Sequence, residues 1–191
     1  MIKLTVPVVY IYSMKTMTGR KTLHKKTGVR PTTGKVRESL FNILRGKVEN
    51  SRFLDLYAGT GAVGIDALRE GAADVVFVEE SRTNSKRLTE VIQRMGFSER
   101  ARIITKKVIS FIGHSEMQGE AFDIIFLDPP YHSDEITLAL GALGASSIIV
   151  PGGMVIAEHF AKRPLQDCFG RLAKVKDYVY GDSVLTLYEA R

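Results

Sequence analysis

The sequence predicts an α/β chain, with seven strands in a mostly parallel, doubly wound sheet that closes in an antiparallel hairpin, preceded by a small β-type extension. Three observations carry this. From residue 53 onward, β-rich runs alternate with runs of helical spacing, the pattern of strands joined by crossover helices. The first such run leads into Gly59, Gly61 and Gly64, a turn that brings backbone close to a ligand. The last two runs, 175–180 and 183–188, are separated by Gly181-Asp182 alone. No helix fits between them, so they pair antiparallel.

The elements follow in order. Residues 1–30 read as a basic β-hairpin extension with Thr18-Gly19-Arg20 as a candidate turn, and residues 31–191 as the α/β domain. The apolar stretch from Leu4 to Tyr12 is interrupted by Pro7 and lacks a small-residue cleavage site, so it reads as a strand rather than a signal peptide. Between Thr33 and Val48, residues Val36, Leu40, Ile43, Leu44 and Val48 keep helical spacing, and Pro31-Thr32-Thr33 is the start signal. Strand 53–57, helix 62–70, strand 75–79 and helix 81–95 follow, the last stopped by Gly96. Strands 102–105 and 122–127 and helix 136–143 come next. Two runs, 148–150 and 154–158, then flank a Pro151-Gly152-Gly153 turn.

Composition bounds the function. The 191 residues are 45% hydrophobic and 25% charged, an ordinary globular balance. The single Cys168 excludes a disulfide framework and fits a reducing cytoplasm, and no stretch is long and apolar enough to span a membrane. The net charge of +6 is concentrated at one end. Residues 1–50 hold eleven Lys/Arg against Glu38 and Glu49, a net of +9, and the rest holds sixteen against nineteen acids, a net of −3. A basic arm on a mildly acidic body is the footprint of a phosphate-backbone binder. Arg20, Lys21, Lys25, Lys26 and Arg30 are its candidate nucleic-acid contacts.

Strand 53–57 with Gly59, Gly61 and Gly64 forms G-x-G-x-x-G, and Glu79 lies twenty residues after the first glycine, where an acid accepts ribose hydroxyls. The motif alone serves a dinucleotide or S-adenosylmethionine. Asp55 favours the second, because a carboxylate at the strand end suits an ammonium or sulfonium and repels a pyrophosphate. A phosphate-loop reading of Gly28 to Gly34-Lys35 fails on spacing and on Val36. Histidines 24, 114, 132 and 159 are scattered, and no metal is expected.

Asp128, Pro129, Pro130 and Tyr131 close the apolar strand 122–127. Prolines donate no hydrogen bond and fix the chain, so their carbonyls stand as acceptors beside the Asp, and Tyr131 offers a stacking face. Such a set suits an exocyclic NH2 on a planar group. The chemistry admits guanine N2, adenine N6, cytosine N4 or a glutamine amide, and the basic arm argues against the last.

With these motifs in chain order, the sequence resembles the Rossmann-like class I methyltransferases that methylate the N2 amine of a guanine in small-subunit (16S) ribosomal RNA. Arg30 to Asn42 (RPTTGKVRESLFN) is the most family-specific stretch, supported by Asp55 to Gly61 and Asp128 to Tyr131. The resemblance implies S-adenosylmethionine as methyl donor and rRNA, presented in an assembling 30S particle, as substrate. It implies that Asp55, Tyr57, Gly59 and Gly61 line the methionine end of the cofactor, with Glu79 on the ribose. Asp128 would border the cofactor and, with Pro129, Pro130 and Tyr131, hold the guanine. Thr33, in a segment from Thr32 to Phe41, would close over the cofactor. A cytoplasmic monomer is expected.

Two positions depart from the family pattern: Lys106-Lys107-Val108 replaces the usual acceptor for the adenine amine, and Ser81 replaces an Asp often found after the ribose acid. Adenine recognition then falls to backbone groups. DNA amino-methylation is the nearest rival reading. An NAD-linked oxidoreductase leaves Asp128 to Tyr131 unexplained, and a non-catalytic RNA-binding module would have lost its cofactor.

Overall fold

The computed structural model describes residues 34–130 and 133–191. The expected hairpin arm, the start of the first helix and the positions Arg20, Lys21, Lys25, Lys26, Arg30, Thr33 and Tyr131 lie outside them. Among the described residues the chain runs α1 (Gly34–Ile43), β1 (Arg52–Leu56), α2 (Ala62–Arg69), β2 (Asp74–Glu79), α3 (Arg82–Arg94) and β3 (Ala101–Thr105). It continues with α4 (Val108–Met117), β4 (Phe122–Leu127), α5 (Glu135–Ala145) and β5 (Ile149–Phe160). Short β6 (Cys168–Phe169) precedes the hairpin of β7 (Leu172–Tyr180) and β8 (Ser183–Ala190).

One sheet of order β3-β2-β1-β4-β5-β8-β7-β6 holds all the strands of the described residues. The first five are parallel; β8 enters antiparallel between β5 and β7. The sheet thus has eight strands rather than the expected seven, because two residues of β6 add an antiparallel edge to β7. Helices α4 and α5 cover one face through residues such as Phe111, Ile112 and Leu140, while α1, α2 and α3 cover the other through Leu40, Leu68 and Leu88. The central strands are therefore buried on both sides and read as continuous apolar runs. Asp55, fully inside β1, is one buried exception; Glu79 at the end of β2 and Glu158 and His159 in β5 are others.

Local differences from the sequence reading have physical causes. Helix α1 stops at Ile43, short of Val48, because Gly46 at φ 72° turns the chain. Leu44 and Val48 stay buried in the turns that follow. Helix α4 occupies a stretch to which the sequence reading assigns no element. Its apolar face is only Val108, Phe111 and Ile112, and Gly113 on its exposed side masks the period. The Pro151-Gly152-Gly153 turn lies inside β5 as a bulge: the step from Phe122 to Ile124 in β4 is matched by the longer step from Ile149 to Met154 in β5.

Strand order reverses between β1 and β4, both of which pair in parallel at their other edges. Connections leave in opposite directions there, opening a crevice at the strands' carboxyl ends. Asp55, Glu79 and Asp128 all sit at those ends.

Candidate active site

The crevice holds a cavity of about 540 Å³, a size that suits a nucleoside-bearing small molecule. Its wall includes Asp55, Tyr57, Gly59, Glu79, Asp128 and Pro129. Positions singled out from separate parts of the sequence are thus brought to one space. Gly61 borders it as the residue preceding α2, at φ 75°, and a Cβ there would overlap the side chain of Leu88. Only glycine turns the chain this way in this packing.

The glycine loop and the two acids form one hydrogen-bonded unit. Glu79 accepts the Gly59 N–H at 2.8 Å on one oxygen and the Ser81 N–H at 2.8 Å on the other, with Asn84 Nδ2 at 3.4 Å. It holds the loop after β1 to the loop after β2 and keeps further lone pairs for a ligand. Asp55 accepts the Gly64 N–H at 2.9 Å. Gly64 is the third residue of α2, and a Cβ on it would overlap the Phe77 ring, so α2 can approach β1 this closely only with glycine there. Burial pushes the Asp55 carboxyl up from 3.8 to about 7; the Gly64 N–H opposes this, and the charge of Glu79 adds to it. A cationic ligand group would act against both upward influences.

Tyr57 stands at φ 61°, in the left-handed region. Its hydroxyl donates to the carboxylate of Glu135, the first residue of α5, and burial followed by that charge raises its pKa. Glu135 lines the cavity, and nothing in the sequence marked it, because an acid opening a helix reads as a dipole partner. Asn84 went unmarked for a similar reason: polar side chains in a first helical turn are commonplace.

The described residues of the expected clamp differ in exposure. Pro129 is buried, Pro130 exposed, and Asp128 half-buried and engaged in an interaction. The two proline carbonyls are not equivalent, however. That of Pro130 accepts the Ser133 N–H at 3.1 Å and the Ser133 hydroxyl at 2.9 Å, closing a turn. The Pro130 carbonyl is thus engaged within its own turn, while Asp128 and Pro129 line the cavity.

Residues 34–41 belong to the segment expected to close over the cofactor, but none of them lines this cavity. They form α1, whose Arg37 pairs with Asp66 of α2 at 2.8 Å, and Gly34, Arg37, Glu38 and Phe41 border a separate surface pocket. Lys106 and Lys107 do line the cavity, with Lys107 as an uncapped N-cap of α4. Among the described residues, no three His, Cys, Asp or Glu side chains cluster as a metal site.

The site's relatives are consistent across sequence and structure. The chain is 33% identical over 139 residues to Ribosomal RNA small subunit methyltransferase D of Haemophilus influenzae, covering 72% of each. It is 27% identical to the protein of the same name from Escherichia coli, over 85% of this chain and 80% of the other. A solved hypothetical protein of Thermus thermophilus superposes with a TM-score of 0.75 at 33% identity, over 88% of this chain and 93% of the other. These relatives bear out the resemblance read from Arg30 to Asn42 and the two strand-end motifs. The chain belongs to the family described as Conserved hypothetical protein 95, whose model matches residues 11–189.

Proposed function

We propose that this protein methylates the N2 amine of a guanine in small-subunit ribosomal RNA, with S-adenosylmethionine as methyl donor and an assembling small subunit as the setting. The observation that carries it is one cavity shared by Asp55, Glu79 and Asp128, at the switch point of a doubly wound sheet. The relatives named Ribosomal RNA small subunit methyltransferase D support the RNA class.

The donor set fits the cofactor. Asp55 would face the methionine ammonium, Glu79 the ribose hydroxyls, and the α4 end of the cavity, around Val108 and Ile109, the adenine. A dinucleotide fits worse, since Asp55 already occupies the Gly64 amide that would meet a pyrophosphate at the N-terminal turn of α2. When bound, S-adenosylmethionine supplies an electrophilic methyl group and leaves as neutral S-adenosylhomocysteine.

The chain's own residues prepare the amine. Guanine N2 is a poor nucleophile because its lone pair is delocalised into the ring. Asp128 and the Pro129 carbonyl would accept its two hydrogens and favour a tetrahedral nitrogen whose lone pair is free to attack. The nitrogen becomes cationic as its new bond forms, and Asp128 would stabilise that charge and accept the surplus proton. Tyr131 would stack on the base. The basic arm of residues 1–30, with Arg20, Lys21, Lys25, Lys26 and Arg30, would grip phosphates around an unstacked loop base.

The test is incubation with methyl-tritiated S-adenosylmethionine and, separately, naked small-subunit rRNA, partly assembled small subunits and duplex DNA. Label in RNA or subunits is expected. Label in DNA alone would overturn the reading in favour of a DNA amino-methyltransferase.

A further inference from the structure

Phosphate contacts need not all come from the basic arm, because the α/β body carries a concentrated positive charge of its own. We propose that Arg82 and Lys86 of α3, with Lys106 and Lys107 after β3, form a second contact for the RNA backbone, at the cofactor end of the crevice. The proposal rests on the RNA reading above and is independent of which base receives the methyl group.

Charge within the body is sharply divided. Residues 34–191 hold twenty Lys/Arg against twenty-one acids, a net of −1. Residues 80–107 hold eight against Glu80, Glu90 and Glu99, a net of +5, so the rest of the body carries −6. That stretch is α3 and β3, the edge strand of the parallel half. Several cations of the body are neutralised: Arg37 and Arg69 by Asp66, Arg102 by Asp74 and Glu120, Arg163 by Asp134. The side chains of Arg82, Lys86, Lys106 and Lys107 are exposed and make no ion pair, hydrogen bond or ring contact among the described residues. Helix stability does not call for them either. Arg82 opens α3 and Lys107 precedes α4, at ends where the helix dipole disfavours a cation.

Topology gathers these four residues at one corner. Glu79 of β2 pairs with Thr105 of β3, so Arg82 and Lys106 follow adjacent strand ends by three residues and by one. Lys86 lies one turn beyond Arg82 on the same side of α3. The corner borders the crevice, since Lys106 and Lys107 line the cavity, as do Ser81 and Asn84 on either side of Arg82. Along β3-β2-β1-β4 it stands three strand spacings from the clamp, about 14 Å at roughly 4.8 Å per strand. Phosphates a few nucleotides from a base held at Asp128 reach that far. The crevice wall itself is acidic, with Asp55, Glu79, Glu80, Asp128 and Glu135, and it repels a polyanion. Unpaired cations on the rim offset that repulsion and fix where the backbone crosses.

The test compares two double variants that each remove two positive charges. Arg82→Gln/Lys86→Gln removes them from the corner and alters no cavity-lining residue. Lys47→Gln/Arg191→Gln removes them from the opposite end of the sheet, where Lys47 precedes β1 and Arg191 follows antiparallel β8. Affinity for naked small-subunit rRNA is measured by filter binding over a range of salt, with S-adenosylhomocysteine present. At about 0.15 M salt the corner variant is expected to bind about tenfold more weakly than wild type, and its slope of log affinity against log salt to fall by between about one and two. The control variant is expected to stay within about twofold of wild type. In turnover the corner loss should appear in KM for RNA, with S-adenosylhomocysteine affinity unchanged as the sign of an intact fold. The charge-conserving Arg82→Lys/Lys86→Arg should bind RNA as wild type does. A corner variant indistinguishable from the control in affinity and slope overturns the proposal while leaving the RNA reading intact, as does a loss confined to duplex DNA. Wild-type protein with no measurable affinity for the rRNA would overturn the RNA reading and this contact together.

Discussion

If Asp55 meets the ammonium of the cofactor, binding must expel a proton. In the free protein the carboxyl titrates near 7, against 3.8 ordinarily, because it is buried and Glu79 lies close. That gap corresponds to roughly 4 kcal/mol against the ionised form. A ligand ammonium needs the ionised form, so affinity should rise about tenfold per pH unit below 7 and level off above it, until the ligand's own amine deprotonates near 8. Calorimetric titration with S-adenosylhomocysteine at pH 6, in two buffers of different ionisation enthalpy, should show release of about 0.9 proton per ligand bound. Asp55→Asn should abolish both the slope and the release. The same gap predicts a stability effect of definite sign. Between about pH 4 and 7 the folded state holds a proton that the unfolded chain has lost, so this stabilisation is complete below 3.8 and disappears as pH rises through 7. Asp55→Asn should therefore be more stable than wild type at pH 8, by up to roughly 4 kcal/mol, despite its weaker ligand binding. Affinity flat from pH 5 to 7 with no proton release would refute the assignment of Asp55 to the ammonium.

The remaining predictions concern the other site groups. Asp128→Ala should abolish methyl transfer while S-adenosylmethionine affinity stays within about tenfold, because its role is to hold the amine; a far larger loss by calorimetry would make it mainly a cofactor residue. Glu79→Gln should weaken S-adenosylhomocysteine binding by about ten- to a hundredfold, since an amide cannot accept both the Gly59 and Ser81 N–H groups on separate oxygens. Isothermal titration would measure it. Replacing Arg20, Lys21, Lys25, Lys26 and Arg30 with Gln should reduce rRNA affinity and lower the slope of log affinity against log salt by about one for each phosphate no longer held. Cofactor binding without RNA should be unaffected.

Much of this architecture is written locally. The parallel strands are continuous apolar runs because both faces are covered, and Asp55 stands out in β1 because it breaks such a run. Gly61 and Gly64 mark the β1–α2 turn because Leu88 and Phe77 leave no room for a side chain. What was not legible depends on tertiary placement. Glu135 reaches Tyr57 only through the packing of α5 against the crevice. Helix α4 was hidden by its short apolar face and by Gly113, while β6 is too short to show any period. The occupation of the Pro130 carbonyl by Ser133 belongs to the turn and has no sequence signature.

The proposed chemistry turns on one identity: the amine gathered by Asp128 and Pro129 is N2 of a guanine in small-subunit RNA. It can be read by nucleoside mass spectrometry of small-subunit rRNA, after reaction of purified protein with S-adenosylmethionine and unmethylated, partly assembled subunits. N2-methylguanosine is expected, approaching one per RNA, with none formed by Asp128→Ala. N6-methyladenosine or N4-methylcytidine in its place, or no methylation at all in RNA that wild-type protein binds, would contradict that identity.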